Sequence, residues 1–129
     1  MKVLTTLVPW APLVARVLVG GMFVMSGMDK VTNFTAVVAF AGSAGLPSPG
    51  VAVAIAIAVE VLAGLSVLLG YRIFWGAVAL AVFTVIVSFV FHGDFTDQMQ
   101  QIIFTKNMGI VATLLYMMRF GSGKLSIEK

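Results

Sequence analysis

The chain has no cysteine. Disulfides, thiolate nucleophiles and thiolate metal sites lie outside its chemistry, as does any relay that moves electrons through paired thiols. It has a single histidine, His92, which rules out a multi-histidine haem or metal site, and no metal centre is expected. Charge is scarce: 10% of the 129 residues are Asp, Glu, Lys or Arg, against about a quarter in soluble domains. The basic residues form no run, so the net charge of +3 does not point to nucleic acid.

Apolar mass takes the place of these groups. Hydrophobic residues make up 60% of the chain, and the mean hydropathy is +1.09. A small soluble fold has too much surface to hide that many apolar side chains, and disordered chains lack them. A bilayer is the solvent that suits this composition.

A membrane crossing needs about 20 mostly apolar residues. Four stretches qualify, at roughly 7–28, 50–70, 73–92 and 102–119. The first follows Lys2 as a signal peptide would, but it is long, carries Arg16 and lacks a cleavage site of small residues. It reads as a retained helix. The second alternates large and small residues from Val51 to Ala58. The apolar run continues through Leu69 without a turn signal, so length favours helix over strand. Tyr71-Arg72 leaves only a tight turn between the second and third stretches, and Gly93 to Gln101 forms a short polar loop before the fourth. The longer connection from Val31 to Pro49 holds an apolar patch (Val37, Val38, Phe40) and ends in Gly and Pro, as a short interfacial or re-entrant helix would.

There is no internal repeat and no linker, so residues 1–129 read as one transmembrane domain. The expected fold is all-α and integral to the membrane. It is an antiparallel bundle of four transmembrane helices, with a short interfacial segment between the first two. Lys2, Arg72, Arg119, Lys124 and Lys129 fall on the side of the termini, while Lys30 and Lys106 fall on the other with three aspartates. The positive-inside rule then places both termini in the cytoplasm.

Arg16 and Glu60 interrupt apolar segments at their middles. An ion at mid-bilayer costs several kcal/mol unless it is paired or lines a polar cavity, and antiparallel neighbours would hold these two at one depth. They are expected to pair, either as a helix-to-helix clamp or as part of a site. At 100° per residue, Arg16, Gly20, Phe23, Gly27 and Lys30 fall within about 40° either side of one line, with Ser26 beside it. Gly20 and Gly27 on the first helix, Gly64 on the second and Gly109 on the fourth are candidate packing positions. On the fourth helix Lys106, Gly109, Ile110, Thr113 and Met117 share a face, and Asn107 points about 100° away.

Lys30, His92, Asp94, Lys106 and Asn107 gather at the outer ends, and with Arg16 and Glu60 they are expected to line a polar cleft opening outward. Cationic and donor groups there suit an anion or a quinone carbonyl. Arg16, Lys30, Lys106 and Asn107 are the candidate ligand-binding residues, and Glu60 and His92 the candidate proton-exchanging ones.

The run Arg16-Val17-Leu18-Val19-Gly20-Gly21-Met22-Phe23-Val24-Met25-Ser26-Gly27-Met28-Asp29-Lys30 resembles the opening motif of the DoxX family. Glu60 with Gly64 and Gly70, Phe91-His92-Gly93, Lys106-Asn107-Met108-Gly109 and Gly45-Leu46-Pro47 are similar to its later motifs, in order and with spacing kept. The resemblance implies a four-helix protein of the bacterial cytoplasmic membrane, in a family named for a subunit of a thiosulfate:quinone oxidoreductase. The reading is a subunit or accessory of a quinone-linked oxidoreductase. Its partners would be the bilayer, a membrane redox subunit and further copies of itself, with no covalently bound cofactor. The alternative is a non-catalytic membrane scaffold or assembly factor.

Overall fold

The computed structural model describes residues 1–127, which leaves Lys129 of the basic set outside the described residues. The described chain is helical and contains no strand. A short helix α1 (Lys2–Leu7) runs through a 3-10 turn at Val8–Trp10, where Pro9 removes a donor, into α2 (Ala11–Thr32). After α3 (Phe34–Ser43) come α4 (Pro49–Leu69), α5 (Ile73–Phe91) and α6 (Gln98–Phe120). Four helical stretches are long and apolar enough to cross a membrane, the first counted from Lys2 to Thr32. The expected all-α, four-span fold is what the chain adopts. The first span starts earlier and ends later than the sequence suggests, and the fourth starts four residues earlier, where Asp97 caps it by accepting from Met99 N.

α2 packs along α4, α4 on α5 and α5 on α6, while α3 leans on α4. Small residues set the α2–α4 seam. A Cβ at Gly20 would sit 2.6 Å from Leu68 N and 2.8 Å from Gly64 O, and one at Gly27 would sit 3.3 Å from Glu60 Cβ. The seam therefore places Gly27 opposite Glu60 and Gly20 opposite the stretch from Gly64 to Leu68. The α5 core face is a helical stripe of Ile73, Gly76, Ala77, Leu80, Ala81, Thr84 and Ser88. Phe23, Val67, Leu80, Leu114 and Met117 meet in one apolar core. Large apolar side chains such as Leu18, Met25, Leu62, Ile86 and Phe89 face outward, which in this setting means toward lipid.

α4 ends in a Schellman turn. Gly70 takes a left-handed φ of 70°, which costs glycine nothing. Tyr71 N then donates to Ser66 O and Gly70 N to Val67 O. Leu69 O accepts from Ile127 N, and Leu68 O accepts from the Arg16 side chain. All four orphan carbonyls of this helix end are thereby satisfied, two of them by groups distant in sequence.

Candidate functional site

Arg16 and Glu60 are not partners. Arg16 is buried, 1% exposed, and lies at the lower end of α4. Its Nη1 donates to Leu68 O at 3.2 Å, and its Nη2 donates to Lys124 O at 2.7 Å and Leu125 O at 3.0 Å. These carbonyls belong to the α4 terminus, where the helix dipole favours a cation, and to the C-terminal tail. From Glu60 to Leu68 is eight residues of helix, about 12 Å of rise. The expected equal depth assumes that α2 and α4 share a midpoint. The seam slides them instead, because α2 extends past the Gly70 turn. Arg16 thus leaves the ligand-binding set as a backbone clamp.

Glu60 stands 11 residues after Pro49 and 9 before Leu69, in the middle of α4, and its side chain is 4% exposed. Lys30, in the last turn of α2, reaches back to it, with Nζ 2.9 Å from Oε2 and donating to Oε1 at 3.1 Å. Lys30 Nζ also donates to Ser26 Oγ at 2.9 Å, and Ser26 Oγ donates on to Oε1 at 3.0 Å. The result is a closed triad of Ser26, Lys30 and Glu60. Oε2 is buried, with the Lys30 ammonium as its partner.

The triad lies at the wall of a cavity of ≈ 490 Å³ between α3, α4 and α5, lined by Lys30, Phe40, Ala56, Glu60, Phe91 and His92 among mainly apolar neighbours. Phe40 and Phe91 stack at 5.4 Å between centroids, joining α3 to α5. This space is an apolar cavity with one charged end rather than the expected polar cleft. His92 caps α5, its N donating to Ser88 O. It is half-buried and stands about ten residues, roughly 15 Å, above the level of Glu60.

The remaining candidates lie elsewhere. Asn107 Nδ2 donates to Ser88 Oγ at 3.0 Å, which ties α6 to α5. That bond turns Asn107 inward, so the buried face of α6 runs through Leu114 and Met117, while Lys106 is exposed. Gly109 departs from the packing expectation, since a Cβ there meets nothing within 4 Å. A Cβ at Gly64 would lie 3.1 Å from Val24 N, so this glycine keeps to the seam. Asp94 turns into its own loop. Bonds from the Thr96 hydroxyl and N–H hold its carboxyl below the usual carboxylate range. Among the described residues no group of three or more His, Asp or Glu side chains forms a metal site.

Sequence reasoning left out Phe40 and Phe91 as cavity walls, and Ser26 as a bridge. Only the last carries a usable signal. Ser26 and Lys30 are one turn apart beside Gly27, and the glycine seam places Gly27 against Glu60.

The family model described as DoxX matches residues 11–93, from the start of α2 to the end of α5. The chain is similar to the inner membrane protein YqjF of Escherichia coli (strain K12), 30% identical over 117 residues that cover 91% of this chain and 88% of that protein. It is also similar to the inner membrane protein YphA of the same organism, 30% identical over 123 residues, 91% of this chain and 87% of that protein. No solved structure matches.

Proposed function

We propose that this chain, an integral membrane protein that belongs to the DoxX family, serves as an inner-membrane subunit of a quinone-linked oxidoreductase and holds the quinone in the cavity between α3, α4 and α5. The cavity carries this reading. Its volume of ≈ 490 Å³ is in the range of small-molecule sites, which are mostly apolar with a few convergent polar groups. Apolar walls suit a ring and an isoprenoid tail, and the Ser26–Lys30–Glu60 triad supplies the polar groups.

A bound quinone takes up two electrons and two protons. The electrons are assigned to a partner subunit. Within this chain Glu60 is the group placed to hold and pass a proton, with Lys30 and Ser26 orienting its carboxylate. His92, at the outer end of the same cavity, is the second titratable group along the route. Arg16 and Asn107 act on the fold. The relatives' names support an inner-membrane location, and the basic residues near both termini support cytoplasmic termini and an outward-facing cavity.

The alternative, a non-catalytic scaffold or assembly factor, has one observation on its side: Arg16 and the Gly20–Gly27 seam serve packing alone. Purification from native membranes in mild detergent separates the two readings. Co-purifying proteins and extracted quinones are identified by mass spectrometry, alongside an Ala56→Trp variant that fills the cavity. Stoichiometric quinone or a redox partner, with the quinone lost in Ala56→Trp, supports the oxidoreductase subunit. A folded preparation with neither leaves the scaffold.

A further inference from the structure

We infer that the cavity recognises the hydroxyl-bearing, reduced form of its ligand, a quinol, in preference to the quinone, and that the Glu60 carboxylate is the acceptor that does so. This rests on the reading of the cavity as a quinone-class site.

The argument is an inventory of donors and acceptors. The Lys30 ammonium has three N–H groups. One goes to Ser26 Oγ, one to Glu60 Oε1, and the third is left for Oε2, 2.9 Å from the nitrogen. The Ser26 hydroxyl also goes to Oε1. Oε1 thus takes two donors, and Oε2 has the ion-paired ammonium alone. Oε2 is buried and meets only that ammonium, although a carboxylate offers about four acceptor sites. Every donor of the triad is committed, while Oε2 keeps acceptor capacity beyond the ammonium.

A ligand carbonyl brings only an acceptor. To be satisfied it must take an N–H that Ser26 or Glu60 already holds, so the exchange gains nothing. A ligand hydroxyl brings a donor, and its bond to a carboxylate is charge-assisted. The mainly apolar walls sharpen this difference, because they offer few donors to an unmet acceptor. Lys30 gives access to Oε2. Its side chain is 26% exposed and lines the same cavity, so a swing of the ammonium off Oε2 opens that oxygen while the bonds at Oε1 persist. Glu60 itself is anchored by Ser26 from α2 and stays in place.

The test is binding rather than turnover. The purified protein in nanodiscs is titrated without oxygen with three related probes: decyl-ubiquinone, its quinol, and the dimethyl ether of that quinol, which lacks the donors and is larger by two methyl groups. Protein-free nanodiscs serve as the partition blank. The quinol is expected to bind about tenfold more tightly than the other two, the worth of one hydrogen bond to a charged group, and Glu60→Gln is expected to erase the preference. If Glu60→Gln fails to fold, the quinol-to-quinone ratio on the unaltered protein carries the test alone. Quinone or ether binding as tightly as quinol overturns this inference and leaves the cavity a quinone-class site. Saturable binding of none of the three overturns that reading and the inference with it.

Discussion

Lys30 Nζ lies 2.9 Å from Glu60 Oε2, so the last turn of α2 is tied to the middle of α4 by opposite charges within the apolar span. Burial makes the pair costly to break and cheap to remove whole. Lys30→Met is therefore expected to destabilise the protein by about 3 kcal/mol, the low end for a broken buried pair, because Lys30 keeps some exposure. Lys30→Met with Glu60→Met should recover most of that loss. Thermal unfolding in detergent measures both, and a double variant no better than the single one would count against the pairing.

Arg16 and Glu60 should behave independently. A double-mutant cycle on Arg16→Met and Glu60→Gln is expected to give a coupling under about 0.5 kcal/mol, as for separated sites. The swap of Arg16→Glu with Glu60→Arg should fold worse than either single variant, since each new charge meets the wrong neighbours. A swapped protein of normal stability would show that the two residues do interact.

The Arg16 guanidinium holds the C-terminal tail through Lys124 O and Leu125 O. Arg16→Lys keeps the charge but not the planar fork. It should cost about 2 kcal/mol, in line with lost hydrogen bonds to a charged group, and release the tail. Hydrogen exchange over residues 121–127 reads this directly, and unchanged protection there would refute the clamp. Gly70→Ala should act alike, because a Cβ at that position runs into Arg16 Nη1.

The glycines separate into two classes. At Gly20 a Cβ meets backbone at 2.6 Å, so Gly20→Ala must push α2 and α4 apart, at about 2 kcal/mol by analogy with overpacked cores. At Gly109 the space is open, and Gly109→Ala should be neutral or stabilising by up to about 1 kcal/mol through helix propensity. Melting temperatures of the two variants should move in opposite directions or differ clearly; equal losses would mean that Gly109 packs against another chain.

The absence of native cysteine makes topology directly measurable. Thr96→Cys, in the exposed α5–α6 loop, should react with a membrane-impermeant maleimide in intact cells, and Lys2→Cys only after lysis. The reverse pattern inverts the proposed orientation.

The four apolar spans, the absence of thiol chemistry and the packed face of α2 were legible in the chain. Each follows from a local property: bilayer solvation depends on composition over about 20 residues, and the burial of Arg16, Gly20, Phe23 and Gly27 together follows from the helical period. Which charges meet is another kind of question. Sliding α2 along α4 by two or three turns changes every partner and leaves the buried faces much the same. Only the close backbone approach of Gly20 to Leu68 selects the register that gives Glu60 to Lys30 and Arg16 to the helix end. The rotation of α6 was hidden for the same reason, since the Asn107–Ser88 bond joins residues on two helices. The cavity needed α3, α4 and α5 in place together, because a void is defined by walls that no single segment carries.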